Sequence, residues 1–137
     1  GVVGWISSAN ASYSRVTTIL SADTKISAID KVNRDSGVVG SDIKLADSGL
    51  LKLGYLAAGT TVKAGDIIVT SGLGGVYPRN LAIGTVTALK NDPYDVSLYA
   101  EVNPFVDVKS VRDVTVITSF EGQGQALSAA SSASGGK

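Results

Sequence analysis

The sequence predicts an all-β domain: a small, mostly antiparallel β-barrel or sandwich with at most one short helical turn. Three observations carry this prediction. β-Branched residues dominate positions 2–118. Apolar residues recur there at period 2, and no long segment keeps them at helical spacing. Clusters of Gly, Pro, Asn and Asp interrupt the pattern at short intervals, as the turns of barrels and sandwiches require.

Taken in order, residues 15–20 and 26–32 read as strands. Asp35-Ser36-Gly37 offers turn chemistry, and Gly37-Val38-Val39-Gly40 is read with it as part of a reversal. Asp47-Ser48-Gly49 marks another reversal before a strand at 50–55. Val62-Lys63-Ala64-Gly65-Asp66 looks like a turn with Gly65 at the position needing positive φ. It delivers the chain into residues 66–70, a run short and apolar enough to lie buried on both faces. Residues 83–89 form the next strand, and Asn91-Asp92-Pro93 the turn after it. The most regular alternation lies at 96–102, where Val96, Leu98, Ala100 and Val102 point one way and Ser97, Tyr99 and Glu101 the other. Asn103 followed by Pro104 suggests the cap and first residue of a helical turn through about Val108. A last strand is expected at 111–117. From Glu121 the composition shifts to Gly, Gln, Ala and Ser. Residues 121–137 are therefore expected to be a flexible tail, since they cannot bury enough apolar surface to offset the entropy of ordering, about 1–2 kcal/mol per residue. Residues 1–120 make up the β-domain.

Composition narrows the function. The 137 residues are 44% apolar and 18% charged, a balance that folds, and one core is the default at this length. Twelve basic residues balance twelve acidic ones without clustering, so the electrostatic footprint of nucleic-acid binding is missing. The chain contains no His, Cys or Met. Thiol and thiolate–metal chemistry, His general bases and any Ser-His-Asp or Cys-His nucleophile are thereby excluded from it. No cofactor is expected. No stretch approaches the roughly 18 consecutive apolar residues of a membrane span.

Several constellations invite a sharper reading. Ser71 with Asp66 and Lys63 has the residue types of a serine hydrolase, but the glycines around Ser71 have a structural explanation. Asn91, Asp92 and Asp95 offer oxygen ligands without the alternating acidic spacing and closing Glu of a calcium loop. Lys90 sits near a hairpin tip like the modified lysine of biotinyl carriers, yet Leu89 and Asn91 do not match the expected neighbours. Among the aromatic residues, Tyr99 stands out because alternation puts it on the polar face, where an exposed tyrosine is good interface material and is otherwise a cross-strand partner.

The most distinctive segment is Thr70-Ser71-Gly72-Leu73-Gly74-Gly75-Val76-Tyr77-Pro78-Arg79-Asn80-Leu81, leading into Gly84-Thr85-Val86. It has no Gly-Lys-Ser/Thr ending, and Tyr77-Pro78 stands where a phosphate-binding helix should begin. Gly72, Gly74 and Gly75 instead suit backbone conformations closed to other residues, and with Tyr77 and Pro78 they make a structural corner that can support an interaction.

This segment resembles the MreC family of rod shape-determining proteins, with Tyr77 in place of the usual Phe, Asn80 where Gly is common and Ala82 where Pro is common. Asn tolerates the left-handed conformation, so the turn survives the change at position 80. Gly1-Val2-Val3-Gly4, Ser14-Arg15-Val16, Gly37-Val38-Val39-Gly40 and Val62-Lys63-Ala64-Gly65-Asp66 follow in the family's order, so that the resemblance covers residues 1–118. It implies a non-enzymatic scaffold of the cell-wall elongation machinery, working outside the cytoplasmic membrane. The implied anchor, coiled coil and opening strands of a first β-subdomain lie outside these residues. Implied partners are a class B penicillin-binding transpeptidase, MreD and other MreC copies. The alternative from another class is a β-domain that binds a small ligand or a cell-wall glycan, which a deep pocket with converging polar groups would favour.

Overall fold

The computed structural model describes residues 1–91 and 98–124. Two β units are built from eight strands: β1 (Gly4–Ala9), β2 (Ser14–Thr18), β3 (Lys25–Asp30), β4 (Ser36–Gly40), β5 (Leu51–Leu56), β6 (Ile67–Thr70), β7 (Ala82–Asn91) and β8 (Leu98–Pro104). β3-β4-β5-β8-β7-β6 close into a six-stranded barrel, and β1 and β2 form a separate two-stranded antiparallel sheet. All pairings are antiparallel. The all-β expectation is met.

Alternation explains the core. In β3, Ile26, Ala28 and Asp30 are buried while Lys25, Ser27 and Ile29 face outward. Val39, Leu51, Leu53, Leu56, Val62, Ile68, Ile83, Val86, Ala100 and Val102 fill the rest of the interior. Ile68, Val69 and Thr70 are buried in succession, the two-faced burial expected of that short run. Val2 and Ile19, which bracket the hairpin, join the same core. Val2 N–H donates to Ala82 O at 3.0 Å, which ties one end of the hairpin to β7, and Ile19 N–H donates to Val3 O at 2.9 Å, which ties the other end to the first.

Several local expectations are corrected. Residues 36–40, read as part of a reversal, form β4, because Val38 and Val39 pair with both β3 and β5. Residues 4–9 form β1, a strand whose serines obscure the alternation. The single helix among the described residues is α1 (Ile43–Asp47), not a turn after Asn103. Asp42 caps it, accepting from Lys44 N at 3.0 Å and Leu45 N at 3.3 Å. Gly49, at φ 74°, ends it, with Leu50 N–H bonding back to Leu45 O at 2.9 Å. Pro104 instead closes β8 opposite Gly84, a strand terminus where its missing N–H is tolerated. The segment 111–117 has strand propensity but no strand pairs with it among the described residues, and Val114, Val116 and Ile117 are exposed. Of the best alternating strand, Val96 and Ser97 lie outside the described residues, as does the Asp92-Pro93 turn; Ala100 and Val102 point inward as expected.

The turn joining β3 to β4 is pinned by Asp35, whose Oδ2 accepts from Thr60 Oγ1 at 2.7 Å, Thr61 N at 2.8 Å and Thr61 Oγ1 at 3.3 Å. The Thr61 N–H, then the Thr60 hydroxyl, hold the Asp35 carboxyl below its ordinary value. A lowered folded-state value adds stability above the unfolded value of 3.8, lost as pH falls through the folded one. Asp35→Ala is therefore expected to lower the midpoint of urea unfolding at pH 7, and the difference from the parent should shrink as the pH is lowered below 3.8. Urea titrations at stepped pH check this; a pH-independent difference would show that the contacts act through packing alone.

Candidate interaction surface

The glycine segment leaves β6 and returns to β7 as a corner clamped at its base by Thr70. This residue is buried, its hydroxyl donates to Pro78 O at 2.5 Å and accepts from Leu81 N at 2.9 Å, and its backbone N–H reaches Leu81 O at 2.9 Å. Ser71 N–H donates to Ser27 O at 2.9 Å, tying the corner to β3. Gly72, Gly74 and Gly75 all have positive φ, at 79°, 100° and 68°. Asn80, at φ 68°, supplies the left-handed residue that glycine would otherwise provide. Tyr77 folds beneath the loop against the barrel core, and burial pushes its phenol up to about 12. Pro78 is half-buried beside it. At the tip, Leu73 is 72% exposed and Val76 is also exposed.

Beside the corner runs an open groove of about 660 Å³, whose walls include Ile29, Val38, Tyr55, Ser71, Leu73 and Arg79. In the sequence Tyr55 is the end of a strand and one of six aromatic residues, with Trp5, Tyr13, Tyr77, Tyr94 and Tyr99, that suit either an exposed recognition surface or the core. It sits where the β5–β8 register shifts between Leu53 and Leu56, at φ 61°, and is 74% exposed. Gly54 inside a strand pattern is the signal that would have found this bulge. The start of the tail also reaches the corner: Gly124 N–H donates to Gly75 O at 2.9 Å and Gly122 lines the groove. Residues 125–137 lie outside the described residues.

The hairpin adds exposed apolar side chains on both of its sides, Trp5 on one and Ile6 with Val16 on the other. Trp5, Ile6 and Val16 are exposed, and Tyr13 at its tip is 66% exposed. Tyr99, by contrast, is half-buried on the outside of the barrel, with Lys52 Nζ 4.8 Å from its ring centre and Lys90 opposite it in the ladder. Lys90 itself pairs with Glu101 at 3.1 Å, which raises its ammonium value. Tyr99 thus acts as a cross-strand brace.

The hydrolase constellation is not assembled. Ser71 and Asp66 stand at opposite ends of β6, roughly 16 Å apart at about 3.3 Å per extended residue. Ser71 Oγ accepts from Leu73 N at 3.1 Å, and Asp66 Oδ2 from Lys63 N at 3.0 Å, both local turn bonds. Asn91 ends β7, while Asp92 and Asp95 lie outside the described residues. Among the described residues no group of three or more acidic side chains gathers to hold a metal.

A small closed antiparallel barrel with an appended hairpin and a glycine corner is the class of domain these elements define. The family described as "Rod shape-determining protein MreC, barrel core" matches residues 1–118, and the chain belongs to this family. Curated relatives are the cell shape-determining proteins MreC of Listeria monocytogenes, 31% identical over 85% of this chain and 40% of theirs, and of Escherichia coli, 30% identical over 82% and 30%. The chain thus spans well under half the length of these relatives. Among solved structures, Listeria MreC superposes with a TM-score of 0.69 at 27% identity, over 77% of this chain and 51% of that one. A complex between PBP2 and MreC from Helicobacter pylori contains the same fold, with a TM-score of 0.57 at 22% identity over 66% and 55%. A structure described as the major periplasmic domain of the cell shape-determining filament MreC has a TM-score of 0.62 at 21% identity over 78% and 65%.

The corner's strain is open to a direct check. At Gly74 an added Cβ meets nothing within 4 Å, so only the backbone conformation opposes a side chain there. Gly74→Ala is expected to cost about 1 kcal/mol in denaturant unfolding. An unchanged midpoint would mean that the loop relaxes freely and that the corner is not a rigid support.

Proposed function

We propose that this chain is a non-enzymatic interaction module of the cell-wall elongation machinery, working outside the cytoplasmic membrane as part of a longer, membrane-anchored protein. The observation that carries the reading is the unpaired apolar surface of the hairpin. A two-stranded sheet is marginal by itself, and this one leaves Trp5, Ile6, Tyr13 and Val16 exposed, while 111–117 pairs with no strand among the described residues. Exposed aromatic and β-branched side chains beside open backbone donors and acceptors suit strand addition by a partner. The partner chemistry follows the Helicobacter relative, solved with a penicillin-binding protein. A class B transpeptidase is accordingly the first partner, with MreD and further MreC copies as the others.

Catalysis has little to work with. The chain has no His or Cys, and Ser71 and Asp66 are far apart. A small-ligand or glycan site calls for an enclosed cavity, whereas the groove beside the corner is open. Among the described residues no helix is long and apolar enough to cross a membrane.

Binding to the matching transpeptidase ectodomain, followed by calorimetry, tests the proposal. Trp5→Ser and Tyr13→Ser are expected to weaken it about tenfold or more, as truncating aromatic anchors costs about 2 kcal/mol, with the circular dichroism of the barrel preserved. Full affinity in both variants would remove the hairpin from the interface. The isolated chain is also expected to show no hydrolytic turnover of ester or peptidoglycan substrates. A rate abolished by Ser71→Ala would overturn the non-enzymatic reading.

A further inference from the structure

Asp30 ends β3 on the inward face of the barrel and is 0% exposed. Its Oδ1 accepts from Val32 N at 2.8 Å and Asn33 N at 3.3 Å, which forms the turn into β4. Its Oδ2 is buried and receives no hydrogen bond from a donor among the described residues. Lys31 N–H donates to Ile67 O at 2.9 Å and Asp30 pairs with Ile68, which sets Asp66, in the turn that leads into β6, beside Asp30, and the two carboxyl groups interact. Two ionised carboxylates in that position would repel each other and leave a buried oxygen without a donor, a fault that costs several kcal/mol. A proton between them removes both defects, because a protonated carboxyl donates to a carboxylate in a short, strong bond.

We propose that Asp30 and Asp66 share one proton, and that this proton latches the β3–β4 turn onto the turn preceding β6. The proton resides on the buried Asp30 carboxyl, whose O–H donates to the Asp66 carboxylate. Asp66 keeps its charge because Lys63 supplies both a backbone N–H at 3.0 Å and a nearby ammonium. Lys31 and Arg34, which flank Asp30 on its own turn, are exposed, and the Asp35 carboxylate is occupied by Thr60 and Thr61. The directions of the two acidities agree with this assignment. Burial, then Asp66, hold Asp30 above the ordinary 3.8, against the pull of two backbone N–H groups. The bond from Asp30 holds Asp66 below 3.8, against burial and with help from Lys63.

The latch makes the barrel sensitive to pH in a defined direction. Between 3.8 and the raised value of Asp30, the folded chain holds a proton that the unfolded chain has released. Stability therefore falls as pH rises through this window, by up to tenfold in the folding constant per pH unit for one proton, and levels off above it. The contribution of Asp66 has the opposite sign and is lost only as pH falls through its depressed value.

The Asp30→Asn variant of the 137-residue chain places a permanent N–H donor where the proton sits and leaves an oxygen for Val32 and Asn33. Denaturant unfolding from pH 4 to 8 is expected to give a folding constant that rises relative to the parent by up to tenfold per pH unit, then reaches a plateau. Side-chain carboxyl ¹³C shifts of the parent should show Asp30 titrating above 3.8, and in Asp66→Asn its midpoint should drop. A pH-independent ratio, or an Asp30 midpoint at or below 3.8 in the parent, would overturn the proposal. If Asp30→Asn does not fold, the titration of Asp30 in the parent decides the matter alone.

Discussion

The pairing of β3 with β6 closes the barrel and sets the register of the other strands. Every strand of the barrel is bonded on both sides once Ala28, Ile29 and Asp30 pair with Thr70, Val69 and Ile68. Closure abolishes open edges and fixes which residues face inward, because a slip of one position would turn Ile26, Ala28 and Asp30 outward together. It also brings the ends of β3 and β6 side by side. The corner after Thr70 and the carboxyl pair before Ile67 therefore lie at the two ends of one short strand, each tied to β3.

Rigidity follows from this closure and is distributed unevenly. The corner is held by the buried Thr70 hydroxyl and by Ser71 bonding to Ser27, while three glycines and Asn80 absorb the left-handed turns. Its apolar tip at Leu73 and Val76 is thereby presented on a fixed support. The hairpin differs, since Val2 and Ile19 join the core while Trp5, Ile6, Tyr13 and Val16 stay exposed, with no layer over them among the described residues. The closed barrel and the hairpin thus differ in how far their apolar side chains are covered.

Much of the barrel was legible because period-2 alternation is a local property. The strands at β3, β5, β6, β7 and β8 announced themselves through Ile26 and Ala28, Leu51 and Leu53, the Ile67–Thr70 run, Ile83 and Val86, and Ala100 and Val102. β4 was hidden because glycines flank only two valines, a pattern that reads as a turn until both neighbouring strands are known. The short α1 was hidden for a related reason: Asp47-Ser48-Gly49 looks like a reversal whether or not a capped helical turn precedes it. Residues 111–117 differ in the other direction, having the composition of a strand but no pairing strand among the described residues.

The all-β class, the family resemblance, the left-handed positions at Gly65, Gly74, Gly75 and Asn80, and the lack of His and Cys that narrows the chemistry can be read from the residues alone. These depend on side-chain type and on neighbours a few residues away. Strand pairing is what thrusts Tyr55 outward at a bulge, sets Tyr99 against Lys52, and keeps Ser71 and Asp66 apart. It also brings Asp30, inward by simple alternation, beside Asp66 from a turn 36 positions away. Such encounters are set by strand register and barrel closure, which are properties of pairs of segments and are not encoded in either segment alone.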